Sequence, residues 1–357
     1  MKDKFLYLES LRGIAALFVV MHHSSPISYS SILGNNPFFV NGDFLVDFFF
    51  VLSGFVIAFS YSDRITDGAS ISRFTKKRFF RLYPLHFLTL LLFVLIAFIQ
   101  HTASSRYGVG DPASSSPDNL KSFFSNLFLI HSVTEDELTF NGPSWSISVE
   151  FIMYAYFGLV TLFCSRRTVI VICIATILLS TIPLLVHSER TGVMQTAMYR
   201  GSYAFPLGML LYYFYNWRKI AVANWLVYYC LALALVSIWF GKVIQPVIPP
   251  LVFGLLILSL LYSNENRLKT WLVRPTLVYL GTISYGIYMI HVAVWWFMNQ
   301  GIRFGLGTGT RLDTRSGQTI LDLGPVEGFF WVVVGLTITV AAASFSYRYI
   351  ERPFMRR

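Results

Sequence analysis

The chain has 357 residues, of which 55% are hydrophobic and only 13% are charged, and its mean hydropathy is +0.59. This composition is too apolar for a soluble globular protein, so it predicts an all-α polytopic membrane protein with a single transmembrane domain over residues 1–357. The net charge of +10 is distributed between apolar segments, which favours membrane topology over nucleic-acid binding as its explanation.

Hydropathy predicts ten membrane-spanning helices, because apolar stretches of about 20 residues satisfy their own backbone hydrogen bonds. They cover residues 8–26, 43–62, 80–100, 146–164, 168–187, 197–215, 221–241, 246–262, 278–298 and 327–350. Lys2 and Lys4 precede the first stretch as they would in a signal peptide, but no small-residue cleavage site follows. We therefore expect a retained first helix.

The distribution of basic residues predicts the orientation of these helices. If both termini are cytoplasmic, 20 of the 28 Lys and Arg residues lie on the inner side, as the positive-inside rule requires. This topology makes residues 101–145 and 299–326 long outer loops. In the first loop, residues 119–133 have apolar side chains at helical spacing and predict an amphipathic helix against the membrane.

Arg12 and His23 are the most informative residues of the first helix. They are eleven positions apart, so a helix places both on one face, roughly 16 Å apart along its axis. Ionisable residues in an apolar span indicate function. The alternatives are that Arg12 extends to the inner headgroups with Glu9 as its i, i+3 partner, and that His23 forms a hydrogen bond between helices. His22 points about 100° away from His23 and is its natural control.

The predicted topology places Asp47, Glu150 and His291 in the outer half of the membrane with His23. An unpaired carboxylate is costly there, so we expect Glu150 to meet a histidine, a substrate hydroxyl or a structural hydrogen-bond donor. Ser53 is a candidate nucleophile, although Ser before Gly is more often a sign of tight helix packing.

A basic cluster precedes the third predicted helix on the inner side. It consists of Arg73, Lys76, Lys77, Arg78 and Arg81, and it is followed by Leu82, Tyr83 and Pro84. Such a cluster suits phosphate groups, and it equally suits anchoring to anionic lipid headgroups.

Three tryptophans and three cysteines have simpler interpretations. Trp145, Trp295 and Trp296 near the outer interface either stack on sugar rings or anchor the protein at the membrane surface. The cysteines are expected in the core and without metal-ligand spacing, so no metal is predicted. They are Cys164, Cys173 and Cys230.

Together these motifs resemble the membrane acyltransferase 3 family, whose members move acyl groups, usually acetyl, from acyl-CoA to sugar hydroxyls of cell-surface glycans. The resemblance runs nearly end to end. The chain resembles the stand-alone members, which lack an extracellular hydrolase-like domain. The matching residues are the Arg12 to His23 spacing, FFVLSGF at 49–55, Arg78 with Arg81 to Pro84, WSISVE at 145–150, GTISYGIYMIH at 281–291, and Glu351 to Pro353.

The resemblance implies acetyl-CoA or another acyl-CoA as donor, a glycan or lipid-linked sugar such as O-antigen or exopolysaccharide as acceptor, and a bacterial cytoplasmic (inner) membrane location. His23 would be the general base, with Glu150 or Asp47 orienting it. Residues expected to bind the donor are Arg12, Arg78, Arg81 and Tyr83. Those expected to bind the acceptor are Trp145, Ser146, Tyr285 and His291.

Several alternatives stay open at this stage. Acyl transfer can be direct, or it can pass through an acyl-histidine or acyl-Ser53 intermediate. A transporter or flippase of a lipid-linked sugar would also carry ionisable residues in a helical membrane bundle. A non-catalytic membrane scaffold is a further rival.

Overall fold

The computed structural model describes residues 5–24, 27, 33–34, 36–107, 118–187, 193–241, 243–312 and 319–355. These residues form a helical bundle with one small β-hairpin. The longer helices are α1 (Leu6–His22), α3 (Leu45–Tyr61), α4 (Gly68–Tyr107), α7 (Trp145–Phe163), α8 (Arg166–His187), α9 (Val193–Trp217), α10 (Asn224–Trp239), α11 (Ile248–Tyr262), α14 (Ser284–Gln300) and α15 (Pro325–Ser346).

Shorter elements connect these helices. The short helices are α2 (Pro37–Val40), α5 (Leu120–Leu127), α6 (His131–Thr134), α12 (Arg267–Leu272), α13 (Pro275–Thr282) and α16 (Arg352–Met355). Gly42–Phe44 and Gly142–Ser144 are 3₁₀ turns, and Gly301–Gly305 and Tyr347–Glu351 are π-helical turns. Strands β1 (Thr310–Leu312) and β2 (Thr319–Leu321) pair antiparallel, with Thr310 opposite Leu321.

Side-chain caps explain where several helices begin. The Asp67 carboxylate accepts a hydrogen bond of 2.7 Å from the Ser70 backbone N–H before α4, and this bond lowers the pKa of Asp67. Asn119 and Ser122 form a reciprocal capping box at α5. The Asn266 side chain likewise accepts a hydrogen bond from the first turn of α12. Each cap satisfies a backbone N–H that has no partner within the helix.

Within the described residues, a helix overlaps each of the ten predicted spans, which confirms the all-α fold. In the described part of the chain, five helices are long and apolar enough to cross a membrane, and a sixth span results if α13 and α14, bent by 67° at Ile283, are counted together. Helices α10 and α11 have only 16 and 15 residues. The ten-span topology and the cytoplasmic termini therefore stay predictions.

The predicted outer loops correspond only partly to loops. Helix α4 continues to Tyr107, beyond its predicted end near residue 100, and residues 108–117 lie outside the described part of the chain. The amphipathic prediction for 119–133 is confirmed as helix over Leu120–Leu127, where Leu120 and Phe124 are exposed. In the second loop, residues 313–318 are also outside the described ranges.

Close helix packing positions the polar residues of the bundle. Gly13 of α1 lies against Gly281 of α13 so closely that a Cβ on Gly13 would be 2.5 Å from the Gly281 nitrogen. Gly54 of α3 contacts the Phe205 carbonyl of α9, and Gly208 contacts the Val51 carbonyl in return. Small residues allow this close approach of helix backbones in membrane proteins. The packing interpretation of the Ser-Gly motif is thus confirmed for its glycine.

Candidate active site

A cavity of about 130 Å³ lies where α1, α3, α4, α7 and α14 meet. We call it the arginine cavity because three arginines line it. Its polar wall consists of Glu9, Arg12, Ser53, Arg78, Arg81, Ser146, Glu150, Tyr154, Ser284, Tyr285 and Tyr288. The cavity thus collects residues from five segments that the sequence analysis had treated as separate motifs.

Arg12 is fixed in the cavity wall by three contacts. Its Nε donates to Ser284 Oγ at 2.8 Å, and its Nη2 donates to the Gly281 carbonyl at 2.7 Å. The Glu9 carboxylate is 2.9 Å from Arg12 Nη2, which is the i, i+3 pair that the sequence suggested. The close contact of Gly13 with Gly281 brings these groups together. Arg12 is therefore directed to the cavity rather than free to extend to headgroups.

Arg78 and Arg81 enter the cavity from α4 and take part in no ion pair among the described residues. Arg78 Nη2 donates to the Tyr61 hydroxyl at 2.9 Å, and its guanidinium lies 5.0 Å from the centre of the Tyr61 ring. Arg78 Nε is buried and has no hydrogen-bond partner within the described ranges. These two cations retain the capacity to bind an anion.

Glu150 faces the cavity from α7 and receives two hydrogen bonds. Ser53 Oγ donates to Glu150 Oε1 at 2.6 Å, and the Tyr154 hydroxyl donates to the same oxygen at 2.5 Å. The sequence had left open whether Glu150 meets a histidine, a substrate or a structural donor. In this structure it meets Ser53, which the sequence had suggested as a packing residue or a nucleophile.

His23 lies beyond α1 and outside the wall of the arginine cavity. Its Nδ1 is 2.9 Å from the Val19 carbonyl, and its ring centre is 4.9 Å from that of His291 and 4.8 Å from that of His22. We call His23 and His291 the histidine pair. A carbonyl only accepts hydrogen bonds, so Nδ1 of His23 carries the proton and Nε2 presents a lone pair.

Tyr288 links the arginine cavity to the histidine pair. It lines the cavity, and its ring centre is 5.8 Å from that of His291, one turn further along α14. Its hydroxyl forms hydrogen bonds with the Pro143 carbonyl at 2.9 Å and with Ser146 Oγ at 2.7 Å. The sequence analysis quoted Tyr288 only inside a motif and gave it no role.

Asp47 is paired with Arg200. Nε and Nη2 of Arg200 donate to the two carboxylate oxygens of Asp47 at 2.9 and 3.0 Å, and the two side chains are only 8% and 2% exposed. No role or partner for Arg200 had been predicted from the sequence. The group that holds Nδ1 of His23 is the Val19 carbonyl rather than Asp47 or Glu150.

The other predicted binding residues have structural contacts. The Tyr83 hydroxyl donates to the Leu127 carbonyl at 3.1 Å, and Tyr83 does not belong to the cavity wall. Tyr285 lines the cavity, but its hydroxyl donates to the Leu82 carbonyl at 2.5 Å. Trp145 is buried, with the Arg200 guanidinium 5.3 Å from its ring centre. Its sugar-stacking and interface-anchoring roles both stay predictions.

Tyr154, Ser284 and Arg200 were not among the site residues predicted from the sequence. A signal for Arg200 was present, because it lies inside a predicted apolar span and such a charge requires a buried partner. Tyr154 follows Glu150 by one helical turn, at the spacing where side chains of a helix meet. Ser284 lies within the quoted GTISYGIYMIH motif, but nothing in the sequence indicated its contact with Arg12, which joins residues 272 positions apart.

Comparison with known proteins identifies the family. The sequence profile of the acyltransferase 3 family, described as an acyltransferase domain, matches residues 5–348. The chain is 25% identical over 345 residues to "Acyltransferase MdmB" of Streptomyces mycarofaciens, covering 88% of this chain and 81% of that protein. It is 29% identical over 187 residues to "Protein 2 in picA locus" of Rhizobium radiobacter, covering 50% of this chain and 93% of that protein.

No solved structure matches the chain. The family profile, however, covers nearly the whole helical bundle and both parts of the site, from the arginine cavity to the histidine pair. The chain therefore belongs to the acyltransferase 3 family and is a membrane acyltransferase.

Proposed function

We propose that this acyltransferase moves an acetyl or other short acyl group from acyl-CoA to a hydroxyl of a cell-surface or lipid-linked glycan. The observation that carries the proposal is the arginine cavity, in which Arg78 and Arg81 lie without a carboxylate partner among the described ion pairs. Removing charged groups from water is costly unless they are paired, so such a site suits an anionic ligand.

The donor enters from the side of the basic cluster. Arg73, Lys76 and Lys77 are exposed on α4 immediately before the cavity, and they suit the nucleotide phosphates of acyl-CoA. With the nucleotide phosphates held by these exposed residues, the cavity beyond them takes the narrow pantetheine arm. Arg12 and His23 are roughly 16 Å apart along α1, a distance that an extended arm of this kind spans.

His23 is the general base of the transfer. Its Nδ1–H is held by the Val19 carbonyl, so the Nε2 lone pair is available to take the proton of the acceptor hydroxyl. The oxygen of that hydroxyl attacks the thioester carbonyl, and the sulfur of CoA leaves. Glu150 does not contact His23 in this proposal. It holds the side chains of Ser53 and Tyr154 in the cavity wall through two hydrogen bonds.

Asp47 stabilises the bundle beside the site rather than orienting the base. Its pairing with Arg200 ties α3 to α9 close to the 3₁₀ turn that contains Asp43, whose carbonyl also accepts a hydrogen bond of 2.8 Å from Arg200. Tyr285 and Ser146 contribute to the wall of the donor channel. The acceptor approaches from the side of His23.

The test is transfer of labelled acetyl from acetyl-CoA to envelope glycans in membranes that contain the wild-type protein, His23→Ala or His22→Ala at matched expression. We expect label with wild type and His22→Ala, and a loss of at least about 100-fold with His23→Ala. Equal labelling by His23→Ala would exclude His23 as the base. Absence of label in all samples, with sugar transport that persists without acyl-CoA, would favour a transporter.

A further inference from the structure

We infer that His291 is a positioning residue that shares the catalytic proton with His23. In this inference, Nε2 of His291 accepts a hydrogen bond from Nε2–H of His23 after His23 has taken the proton of the acceptor hydroxyl. The inference rests on the proposed role of His23 as general base. It differs from the role that the sequence suggested for His291, which was contact with the acceptor.

His291 is buried, and one of its ring nitrogens, Nε2, has no hydrogen-bond partner among the described residues. The residue is 0% exposed, and its Nδ1 is 2.6 Å from the Tyr288 carbonyl. Because that carbonyl can only accept, Nδ1 carries the proton and Nε2 presents a lone pair. This Nε2 is buried and has no hydrogen-bond partner among the described residues. A buried acceptor without a partner is destabilising, so it calls for a donor that appears in another state of the site.

His23 supplies that donor once it is protonated. The two ring centres are 4.9 Å apart with an angle of 64° between the planes. In the resting state both Nε2 atoms present lone pairs, because both Nδ1–H groups are held by backbone carbonyls. A proton gained by His23 at Nε2 would therefore have an unoccupied, buried acceptor available on the neighbouring ring. The hydrogen bond would stabilise the imidazolium in a region of low dielectric.

Other titratable groups around His23 do not offer the same acceptor. Asp47 is bound to Arg200, and the Asp43 carboxylate is 3.7 Å from Nη1 of Arg200. His22 lies 4.8 Å from His23 between ring centres, but it is only partly buried, and its Nδ1 pairs with the Phe39 carbonyl. His291 is therefore the buried neighbour whose Nε2 lone pair accepts no other hydrogen bond from the described residues.

The hydrogen bond to His291 does not alter the proton balance of the transfer. The acceptor O–H proton moves to Nε2 of His23 while the acceptor oxygen forms the new ester bond. The carbon–sulfur bond of the thioester breaks, and the proton passes from His23 to the CoA thiolate. His291 stabilises the charged intermediate in between and neither gains nor loses a proton over the cycle.

The kinetic test compares His291→Phe, His291→Gln and the matched control His22→Phe with wild type, using labelled acetyl-CoA and envelope glycans. His291→Phe keeps the ring but removes the acceptor, so kcat should fall about 100-fold with an unchanged KM for acetyl-CoA. The acid limb of its pH–rate profile should move to lower pH, because protonated His23 loses stabilisation. His291→Gln should recover part of kcat, and His22→Phe should change neither quantity.

An equal loss in His291→Phe and His291→Gln with an unmoved acid limb would overturn the inference in favour of a structural role. Titration of ¹⁵N-histidine-labelled protein by NMR provides a measurement that does not depend on turnover. We expect the first protonation to shift the ring nitrogens of His23 and His291 together. Independent titration with normal transfer would refute the inference alone, whereas joint titration without transfer would refute the proposed function alone.

Discussion

Two arginine sites in this bundle differ in whether a carboxylate neutralises their charge. Arg200 is buried and bound through two hydrogen bonds to Asp47, so its charge is satisfied within the protein. Arg78 and Arg81 line a cavity and have no ion-pair partner in the described part of the chain. The difference separates a cation that holds helices together from cations that remain available to a ligand.

The largest expected effect comes from breaking the satisfied pair. Arg200→Leu leaves the Asp47 carboxylate buried without its partner, and loss of one member of a buried ion pair costs about 3–5 kcal/mol. The free energy of unfolding, measured in detergent, should fall by that amount. The double variant Asp47→Leu with Arg200→Leu removes both charges and should regain most of the loss. Equal destabilisation of the single and double variants would contradict the pairing account.

Arg78→Gln and Arg81→Gln should instead impair donor binding and leave the free energy of unfolding nearly unchanged. Hydrogen bonds to charged groups contribute about 1.5–3 kcal/mol, so each variant should raise the KM for acetyl-CoA roughly 10- to 100-fold. The free energy of unfolding should change by less than about 1 kcal/mol, because no ion pair is broken. Arg167→Gln, at an exposed basic position of α8 to which no role in donor binding is assigned, is the control. Loss of stability with an unchanged KM would instead indicate a structural or lipid-anchoring role.

The smallest effect should come from Tyr61→Phe. This change removes the hydroxyl that accepts a hydrogen bond from Arg78 but keeps the ring beneath its guanidinium. The Tyr61 hydroxyl positions Arg78 and does not contact the donor itself, so the KM for acetyl-CoA should rise by only about two- to tenfold. If KM is unchanged while Arg78→Gln is impaired, Arg78 does not need Tyr61 for its position.

The positions of the helices could be predicted from the sequence, because apolar stretches and helical periodicity are local properties of the chain. The common face of Arg12 and His23 follows from helix geometry in the same way. Span lengths were less predictable: α4 continues through residues 101–107, and α10 and α11 are shorter than a typical span. Helix ends depend on caps and packing, which hydropathy does not measure.

The partners of the polar residues could not be predicted, because they come from distant segments. Glu150 meets Ser53 across 97 residues, and Asp47 meets Arg200 across 153. The sequence identified Glu150 as requiring a partner, and the family resemblance suggested that Glu150 or Asp47 orients His23. Tertiary packing alone decides that the partner of Asp47 comes from α9 and that the neighbour of His23 is His291.

The most direct test of the account is the sidedness of the donor site, measured with membrane-impermeant labelled acetyl-CoA and sealed membrane vesicles of both orientations. The account predicts that inside-out vesicles, which expose the cytoplasmic face, incorporate label into glycans. Right-side-out vesicles should do so only after permeabilisation. Arg78→Gln should reduce the signal in inside-out vesicles at low acetyl-CoA concentration. Labelling of intact right-side-out vesicles alone would contradict a donor path from the arginine cavity to His23.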